Sequence, residues 1–273
     1  MSQLPELFDL TGRVAIVTGG VGLLGAEFCH TLAEAGAAVT IADLNGVAAR
    51  NLAASLTQIG YRALGCATDV TSSDSVKEMV TATLEAYGRL DILINSAALD
   101  PKFDPQSQKS HSGAFESYPE ELWQQALDVN LTGAMLCCQA AVQPMLEQGC
   151  GTIINISSIY GVSAPDQRLY QRDEQPPQFK PVYYTVTKAG ILGLTKYLAA
   201  YYGEKNIRVN ALTPGGVYNG HDDEFLKAYA ARSIIGRMAK KDEMNGALLF
   251  LASDASRYMT GANLIVDGGW TTW

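Results

Sequence analysis

The chain has 273 residues, of which 47% are hydrophobic, so it can bury the core of one large α/β domain. Its 20 basic and 28 acidic residues give a net charge of −8, which disfavours binding to nucleic-acid backbones and to anionic membrane surfaces. No Pro/Ser-rich linker, internal repeat or low-complexity tract divides the sequence. We therefore expect residues 1–273 to form a single domain.

The start of the chain carries acids and a proline where a secretory signal would have basic residues and an apolar run. Apolar runs of membrane-spanning length are also missing, so a cytoplasmic protein is expected. The three histidines are scattered, which predicts no metal site. The cysteines are odd in number and lack CxxC spacing, so reduced thiols are expected at Cys29, Cys66, Cys137, Cys138 and Cys150.

Short apolar, β-branched runs alternate with longer helical patterns along the chain. The runs predict strands at 14–18, 38–42, 63–67, 92–94, 152–156, 209–212 and 264–266. The helical patterns fall near 24–35, 46–59, 73–87, 119–147, 182–203 and 240–252. Strands that are hydrophobic throughout and are each followed by a helix are typical of a parallel sheet covered on both faces. The sequence therefore predicts an α/β fold with a doubly wound parallel sheet of about seven strands, which binds ligands beyond the carboxyl ends of its strands.

A glycine-rich turn follows the first predicted strand and opens an Ala/Leu-rich helix. Residues 18–25 read Thr-Gly-Gly-Val-Gly-Leu-Leu-Gly. Glycines at such a turn allow the backbone to approach a pyrophosphate closely, and the helix N-terminus supplies free N–H groups. A merely flexible turn is the alternative, which the strand and helix on either side disfavour. Dinucleotide contacts are therefore predicted at Gly19, Val21, Gly22, Leu23 and Leu24.

Asp43 follows the second predicted strand and lies 18 residues after Gly25. A carboxylate at this place can accept hydrogen bonds from both adenine-ribose hydroxyls and repels a 2′-phosphate, which favours NAD over NADP. Leu44 is placed in the same site. The alternative for Asp43 is a cap of the following helix.

Further cofactor contacts are expected at the ends of the third and fourth strands. Asp69 and Val70 could meet the adenine, and the backbone of Asn95, Ser96 and Ala97 could pass beside the cofactor. Both groups are also compatible with plain turn chemistry.

Tyr184 and Lys188 are four residues apart in a predicted helix and therefore share one of its faces. A phenol ionises near pH ~10, and an ammonium beside it favours the phenolate and brings proton transfer toward neutral pH. Because this spacing is common by chance, its weight depends on the residues upstream.

Together these residues give a chain that resembles the single-domain branch of the short-chain dehydrogenase/reductase family, whose members have a Rossmann fold. The resemblance runs from about residue 10 to residue 270. It rests on the 18–25 loop, Asp69, Asn95 to Ala98, Asn130, Ser158, Tyr184, Lys188, Pro214, Gly215 and the Asp267-Gly268-Gly269 run.

The resemblance implies a role for each catalytic residue. Tyr184 would give a proton to a carbonyl or take one from an alcohol, and Lys188 would lower the Tyr184 pKa and hold the nicotinamide ribose. Ser158 would hydrogen-bond the substrate oxygen; it is preferred to Ser157 because the family pattern places glycine three residues beyond the active serine, here Gly161.

Asn130 would hold a water that links Lys188 to solvent, unless its amide simply bonds backbone within a long helix. Ser158 has its own alternative, a strand-end cap. Pro214, Gly215 and Val217 would contact the nicotinamide, and residues 218–229 would form a mobile lid. The segments 99–119, 162–182 and 215–230 are the expected substrate loops.

The first two loops are unusually long and carry basic groups suited to hydroxyls or phosphate; because acids balance these groups, plain solvated loops are the alternative interpretation. The basic residues are Lys102, Lys109, His111, Arg168, Arg172 and Lys180. The Leu23 spacing resembles the extended, sugar-nucleotide branch, and the run 215–220 looks like members found in surface-glycan biosynthesis. A sugar or sugar phosphate is therefore the expected substrate.

The predicted function is that of an NAD-dependent oxidoreductase that interconverts a secondary alcohol and a ketone. The resemblance also implies a homotetramer or homodimer that pairs helices near 119–147 and 182–203 and packs the C-terminus at another interface. Two alternatives stay open: an NAD-retaining epimerase or dehydratase, and a dinucleotide-binding protein without turnover.

Overall fold

The computed structural model describes residues 4–100, 112–172 and 176–273. Its centre is one parallel sheet of seven strands in the order β3-β2-β1-β4-β5-β6-β7. The strands are β1 Val14–Thr18, β2 Ala38–Asp43, β3 Ala63–Ala67, β4 Ile92–Asn95, β5 Gly151–Ile156, β6 Ile207–Pro214 and β7 Asn263–Val266. The doubly wound sheet predicted from the alternating pattern is confirmed.

Helices cover both faces of this sheet. They are α1 Leu23–Glu34, α2 Gly46–Gln58, α3 Ser73–Tyr87, α4 Glu120–Leu127, α5 Gly133–Gln148, α6 Val182–Tyr202, α7 Asp223–Ala230 and α8 Asn245–Ala252. Strands β1 and β4 are buried along their whole length, as their continuous apolar sequences require for the middle of a covered sheet.

Two apolar clusters form the core, one on each face of the sheet. Phe28 and Leu32 of α1 pack with Leu248 of α8 on the first face. Met79 of α3 and Met145 of α5 pack on the second, and all five side chains are almost completely buried. Burial of side chains of this size contributes about 1.5–3 kcal/mol each, so the two layers fix the sheet that positions the site.

Helix boundaries differ from the predicted ones in three places. The pattern at 119–147 is helical throughout but contains one π-helical turn, Asp128–Thr132, between α4 and α5. The last predicted helix begins as a 3₁₀ turn, Lys241–Met244. Helix α7 was not predicted and lies inside the expected lid, where the side chain of Asp222 caps its N-terminus.

Two further expectations were that the cysteines are reduced and that no apolar segment spans a membrane. All five thiols are unpaired, and Cys29, Cys137 and Cys138 are buried. Across the described ranges, no helix combines the length with the apolarity needed to cross a bilayer.

Candidate active site

The first part of the site is the turn between β1 and α1, at the carboxyl edge of the sheet. Gly19 has a φ of 62°, and a Cβ at this position would lie 2.7 Å from the Cα of Ala97. A Cβ at Gly25 would clash with the carbonyl oxygen of Gly19. Both glycines are therefore required for close backbone packing, and this turn leaves its outer side open.

The N-terminus of α1 is shaped to receive an anion. Gly22 stands at the N-cap with a φ of −69°, and no side chain in the described structure caps the helix. The first-turn N–H groups, including those of Leu23 and Leu24, are therefore free for a ligand, and the helix dipole favours negative charge there. This geometry fits the pyrophosphate of a dinucleotide. Leu23 stands where the single-domain branch usually has glycine. It is the first residue of α1 and has no positive φ, so a side chain there causes no backbone strain.

Asp43 closes β2 beside this turn. Its carboxylate accepts hydrogen bonds from the N–H of Val21 at 3.2 Å and the N–H of Asn45 at 3.0 Å. The cap of α2 is instead Asn45, whose side chain accepts from the Ala48 N–H at 3.1 Å. The alternative reading of Asp43 as a helix cap is therefore wrong. Leu44, which comes next, is 77% exposed.

The residues predicted to contact the cofactor at the ends of β3 and β4 take part mainly in turn and interior hydrogen bonds. Asp69 is exposed and accepts hydrogen bonds from the N–H and hydroxyl of Thr71, at 2.9 and 2.7 Å, which is turn chemistry. Its neighbour Val70 is buried. Asn95 does not face the turn: its amide donates to Asn155 at 2.9 Å, inside the protein.

The backbone after Asn95 is held beside the glycine turn by a residue that sequence reasoning missed. The hydroxyl of Thr18 accepts from the N–H groups of Ser96 and Ala97, each at 3.2 Å. The available signal was a threonine directly before the first glycine. These bonds align the two backbones between which a dinucleotide would lie.

Helix α6 presents Tyr184 and Lys188 on one face, as the four-residue spacing predicts. The Nζ of Lys188 lies 5.8 Å from the Tyr184 ring centroid and donates to the Ile156 carbonyl at 2.9 Å. Tyr184 is partly exposed, whereas Lys188 is 6% exposed. The phenol therefore stands between the open edge of the sheet and a buried ammonium.

Ser158 and Ser157 have different tasks at the end of β5. Ser157 donates to the Lys188 carbonyl at 2.8 Å and so ties β5 to α6. Ser158 caps the following 3₁₀ turn through the Tyr160 N–H at 3.2 Å, and it is near enough to Tyr184 to lower the pKa of that phenol. The structure thus brings Ser158, and not Ser157, to the phenol. Ser158 also caps the turn after β5, as the alternative interpretation predicted.

Gly161 explains why glycine follows the serine at this spacing. A Cβ there would lie 2.6 Å from the carbonyl oxygen of Lys188 and from the hydroxyl of Ser157. Any side chain would therefore push the end of β5 away from α6 and move Ser158 away from Tyr184.

Burial dominates the electrostatics of this pair. Burial raises the pKa of Tyr184 well above its ordinary value, Asp100 raises it further, and the Ser158 hydroxyl acts in the opposite direction. Burial also lowers the pKa of Lys188 to about 8. Burial thus sets the direction of both pKa values in the protein alone, and the expected lowering of the Tyr184 pKa by Lys188 stays a prediction.

Asn130 sits in the π-helical turn and is 3% exposed. Its Oδ1 accepts from the Leu99 N–H at 2.6 Å, and its Nδ2 donates to the Leu99 carbonyl at 3.1 Å and to Thr187 at 3.2 Å. These bonds leave the helix of Asn130, so they differ from the alternative of backbone bonds within a long helix, and the role of holding a water stays a prediction. The bonds fasten the β4 loop to α6 directly before the turn that carries Lys188.

The expected nicotinamide loop follows β6. Pro214 is the last residue of β6, and a Cβ at Gly215 would lie 2.7 Å from the Cα of Asp267. Val217 forms a β-bridge with Ala239. The loop is therefore held by strand-like contacts beside the carboxyl edge of the sheet.

The segment expected to be a lid packs on the 162–182 loop. A third apolar cluster joins the two, with Phe225 and Tyr229 of α7 against Tyr170 and Trp270. Arg172 adds an ion pair with Asp222 at 2.8 Å. The middle parts of the two long loops, 101–111 and 173–175, lie outside the described residues, and so do Lys102, Lys109 and His111.

Two described loop residues enter the site, although their charges looked like part of a balanced surface. The Nζ of Lys180 lies 4.0 Å from the Tyr184 ring centroid and forms an ion pair with Asp100 at 2.5 Å. Sequence reasoning named Lys180 only within a set of basic residues. Its signal was its position two residues before the helix of Tyr184.

Comparison with known proteins identifies the family. A family model described as "Enoyl-(Acyl carrier protein) reductase" matches residues 22–271. With this match and relatives that align over almost its whole length, the chain belongs to the short-chain dehydrogenase/reductase family. It is an oxidoreductase of alcohols and ketones that acts on small molecules with a nicotinamide dinucleotide.

Three relatives show the range of this similarity. The short chain dehydrogenase/reductase astE of Aspergillus oryzae is 41% identical, with 98% of each chain covered. D-threitol dehydrogenase of Mycolicibacterium smegmatis is 36% identical, with 99% of each covered. The crystal structure of a gluconate 5-dehydrogenase from Burkholderia cenocepacia in complex with NADP and tartrate has a TM-score of 0.86 at 30% identity and covers 99% of this chain and 100% of its own.

Proposed function

We propose that this protein is an NAD-dependent dehydrogenase that interconverts a secondary alcohol and a ketone, with Tyr184 as the general acid and base. The observation that carries the proposal is the meeting of Ser158, Tyr184 and Lys188 at the carboxyl edge of the sheet, where Tyr184 is partly exposed. A protein that only bound a dinucleotide would not need this arrangement.

A bound nicotinamide would supply the acceptor or donor of hydride. Ser158 orients the substrate oxygen by a hydrogen bond, and the Tyr184 hydroxyl gives or takes the proton of that oxygen. Lys188 contributes positive charge behind the phenol and can turn from the Ile156 carbonyl toward a ribose hydroxyl. Asn130 positions the start of the β4 loop against α6.

The preference for NAD is proposed from Asp43 and its surroundings. The carboxylate stands where adenine-ribose hydroxyls would approach, and its present partners are backbone N–H groups, not a cation. A 2′-phosphate placed there would meet like charge, which is unfavourable. Gly19, Val21, Gly22, Leu23 and Leu24 would hold the pyrophosphate. The proposed cofactor contacts are completed by the backbone of Asn95, Ser96 and Ala97 and by Leu44, Asp69, Val70, Pro214, Gly215 and Val217.

The substrate is proposed to be a hydroxylated small molecule of the sugar type. The names of two relatives, a D-threitol dehydrogenase and a gluconate 5-dehydrogenase, concern polyhydroxylated compounds. Of the loops proposed to bind substrate, the described residues Asp100 and Lys180 lie beside Tyr184 and support this proposal.

A homo-oligomer is proposed from the outer face of α6. Val186, Tyr197 and Tyr201 are 41%, 64% and 64% exposed. With the exposed Gly193 they form an apolar stripe at helical spacing, which a second copy of the chain would cover. Two different two-fold interfaces, one along this helix and one at the C-terminus, would give the proposed tetramer.

A substrate screen tests the function. Purified protein is incubated with secondary alcohols and polyols and either NAD or NADP, and absorbance of the reduced cofactor is followed. We expect stoichiometric NADH formation with at least one polyol. Turnover of substrate without net NADH would instead indicate an epimerase or dehydratase, which returns its hydride.

A further inference from the structure

An ion pair between a buried ammonium and a partly exposed carboxylate joins the two long loops beside the catalytic tyrosine. Lys180 is 8% exposed, and its Nζ contacts the carboxylate of Asp100 at 2.5 Å. The Lys180 backbone is fixed on both sides by Gln167, whose side chain accepts from the Lys180 N–H at 2.8 Å and donates to its carbonyl at 3.2 Å. The ammonium is therefore held in place.

An ammonium at this place carries a cost to fold stability, which its contacts with the rings of Tyr160 and Tyr184 offset only in part. Burial of a charge is unfavourable even when it is paired, and ion pairs of this kind often add nothing to stability. Lys180 also stands two residues before the first residue of α6, where the helix dipole disfavours positive charge. A residue placed against these costs is better explained by a task in the site.

The pair lies within the site of the proposed reaction. Lys180 Nζ is 4.0 Å from the Tyr184 ring centroid, closer than the 5.8 Å of Lys188 Nζ, and 5.9 Å from the ring of Tyr160. Asp100 is near enough to raise the pKa of Tyr184. A small molecule whose oxygen reaches the Tyr184 hydroxyl therefore binds in the neighbourhood of both charged groups.

The pair offers one strong donor and one strong acceptor in contact with each other. An alcohol hydroxyl is the matching group, because its oxygen accepts from an ammonium while its hydrogen is donated to a carboxylate. A carboxylate or phosphate would gain from Lys180 and lose by a comparable amount to Asp100. Burial lowers the pKa of His221 on the neighbouring loop, so this imidazole adds no positive charge near neutral pH.

We propose that Lys180 and Asp100 together bind a second hydroxyl of the substrate, close to the reacting one, and so select uncharged diols and polyols over simple alcohols and over sugar phosphates. This proposal rests on the proposed dehydrogenase function and names its substrate class. Lys180 and Asp100 act as specificity-determining residues.

The test compares three substrates that differ only beside the reacting alcohol: cis-1,2-cyclohexanediol, cyclohexanol and cis-2-hydroxycyclohexanecarboxylate. The enzymes are wild type, Lys180→Met, Asp100→Asn and the control Lys241→Met, which removes an ion pair with Glu27 on the far side of the cofactor turn. Asp100 has a side chain 58% exposed, so Asp100→Asn should fold even if Lys180→Met does not.

Wild type should use the diol at least about tenfold better than either other compound, measured as kcat/KM. Each site variant should lower kcat/KM for the diol by about 10- to 100-fold more than kcat/KM for cyclohexanol, mainly through KM, because a change in the Tyr184 pKa affects both alcohols alike. The control should change neither. Equal losses on both alcohols, or a wild type that prefers the carboxylate, would overturn the proposal while the dehydrogenase function stood.

Binding of the diol to the NADH complex, followed by cofactor fluorescence, gives the same comparison without turnover. A wild type that binds the diol in a Lys180-dependent way but oxidises none of these alcohols would support the specificity pair and refute the dehydrogenase function. A diol affinity that is the same in wild type and both variants would refute the pair.

Discussion

Replacement of Lys188 by methionine should make the protein more stable and leave it inactive. The side chain is 6% exposed, and burial lowers its pKa from the ordinary value of 10.5 to about 8. At about 1.36 kcal/mol per pKa unit, this fall corresponds to about 3 kcal/mol of destabilisation of the folded state. Methionine has a similar length and carries no charge.

One interaction is lost in return. The Lys188 ammonium donates to the Ile156 carbonyl at 2.9 Å, and removal of such a bond costs about 1 kcal/mol. The expected net gain is therefore about 2 kcal/mol in the free energy of unfolding at neutral pH. Activity should fall to background, since the positive charge behind Tyr184 is gone.

The pH dependence separates this cause from better packing. Because the pKa of Lys188 is lower in the folded state, the charged side chain destabilises the fold. This penalty is absent above the unfolded pKa of 10.5, grows as the pH falls, and is complete below the folded pKa of about 8. The advantage of Lys188→Met should thus be largest at or below about pH 7 and shrink toward pH ~10.

Denaturant unfolding of the cofactor-free protein at these two pH values measures the effect. The exposed Lys241, which pairs with Glu27, provides the control variant Lys241→Met, for which a change below about 1 kcal/mol is expected. A Lys188→Met protein that is less stable than wild type at neutral pH would refute the reasoning.

Three further predictions concern the cofactor, the packing of the site and the assembly. Asp43→Ala should raise the KM for NAD by about 10- to 100-fold and leave that for NADP nearly unchanged, in initial-rate assays with both cofactors; equal effects on both would contradict it. Gly161→Ala should lower the free energy of unfolding by about 1–3 kcal/mol and reduce kcat, because its Cβ meets the Lys188 carbonyl at 2.6 Å, whereas Gly246→Ala in open space on α8 should be neutral or stabilising. Tyr197→Glu should convert an oligomer to smaller species in sedimentation velocity, and a wild-type monomer that is stable on dilution would contradict the proposed assembly.

The fold could be predicted because its signals are local. Buried parallel strands read as apolar runs, and the strand boundaries at β1 and β3 coincide with the predicted ones. The π-helical turn at Asn130 could not be seen, because its residues have no pattern distinct from α-helix. Helix α7 was hidden for another reason: its apolar residues pack on a loop, not on the sheet.

Site residues at strand ends were predictable because the carboxyl ends of parallel strands lie along one edge of the sheet, so residues that directly follow the strands come close together. Tyr184 and Lys188 follow from helical spacing, and Ser158 from the strand before it. Their protonation did not follow, since the Tyr184 pKa is governed by burial and by Asp100, 84 positions away. Charged residues on long loops give no local signal of where they fold, and Lys180 looked like one of several solvated bases.

Substitution of one hydroxyl tests the central claim most directly. Tyr184→Phe removes the proton donor and acceptor and keeps the ring, whereas Tyr183→Phe makes the same change in the neighbouring buried tyrosine, which packs on Tyr118. We predict that Tyr184→Phe lowers kcat at least about 100-fold with NADH affinity unchanged, and that Tyr183→Phe stays within about threefold of wild type. A Tyr184→Phe enzyme that turns over at the wild-type rate would contradict the account.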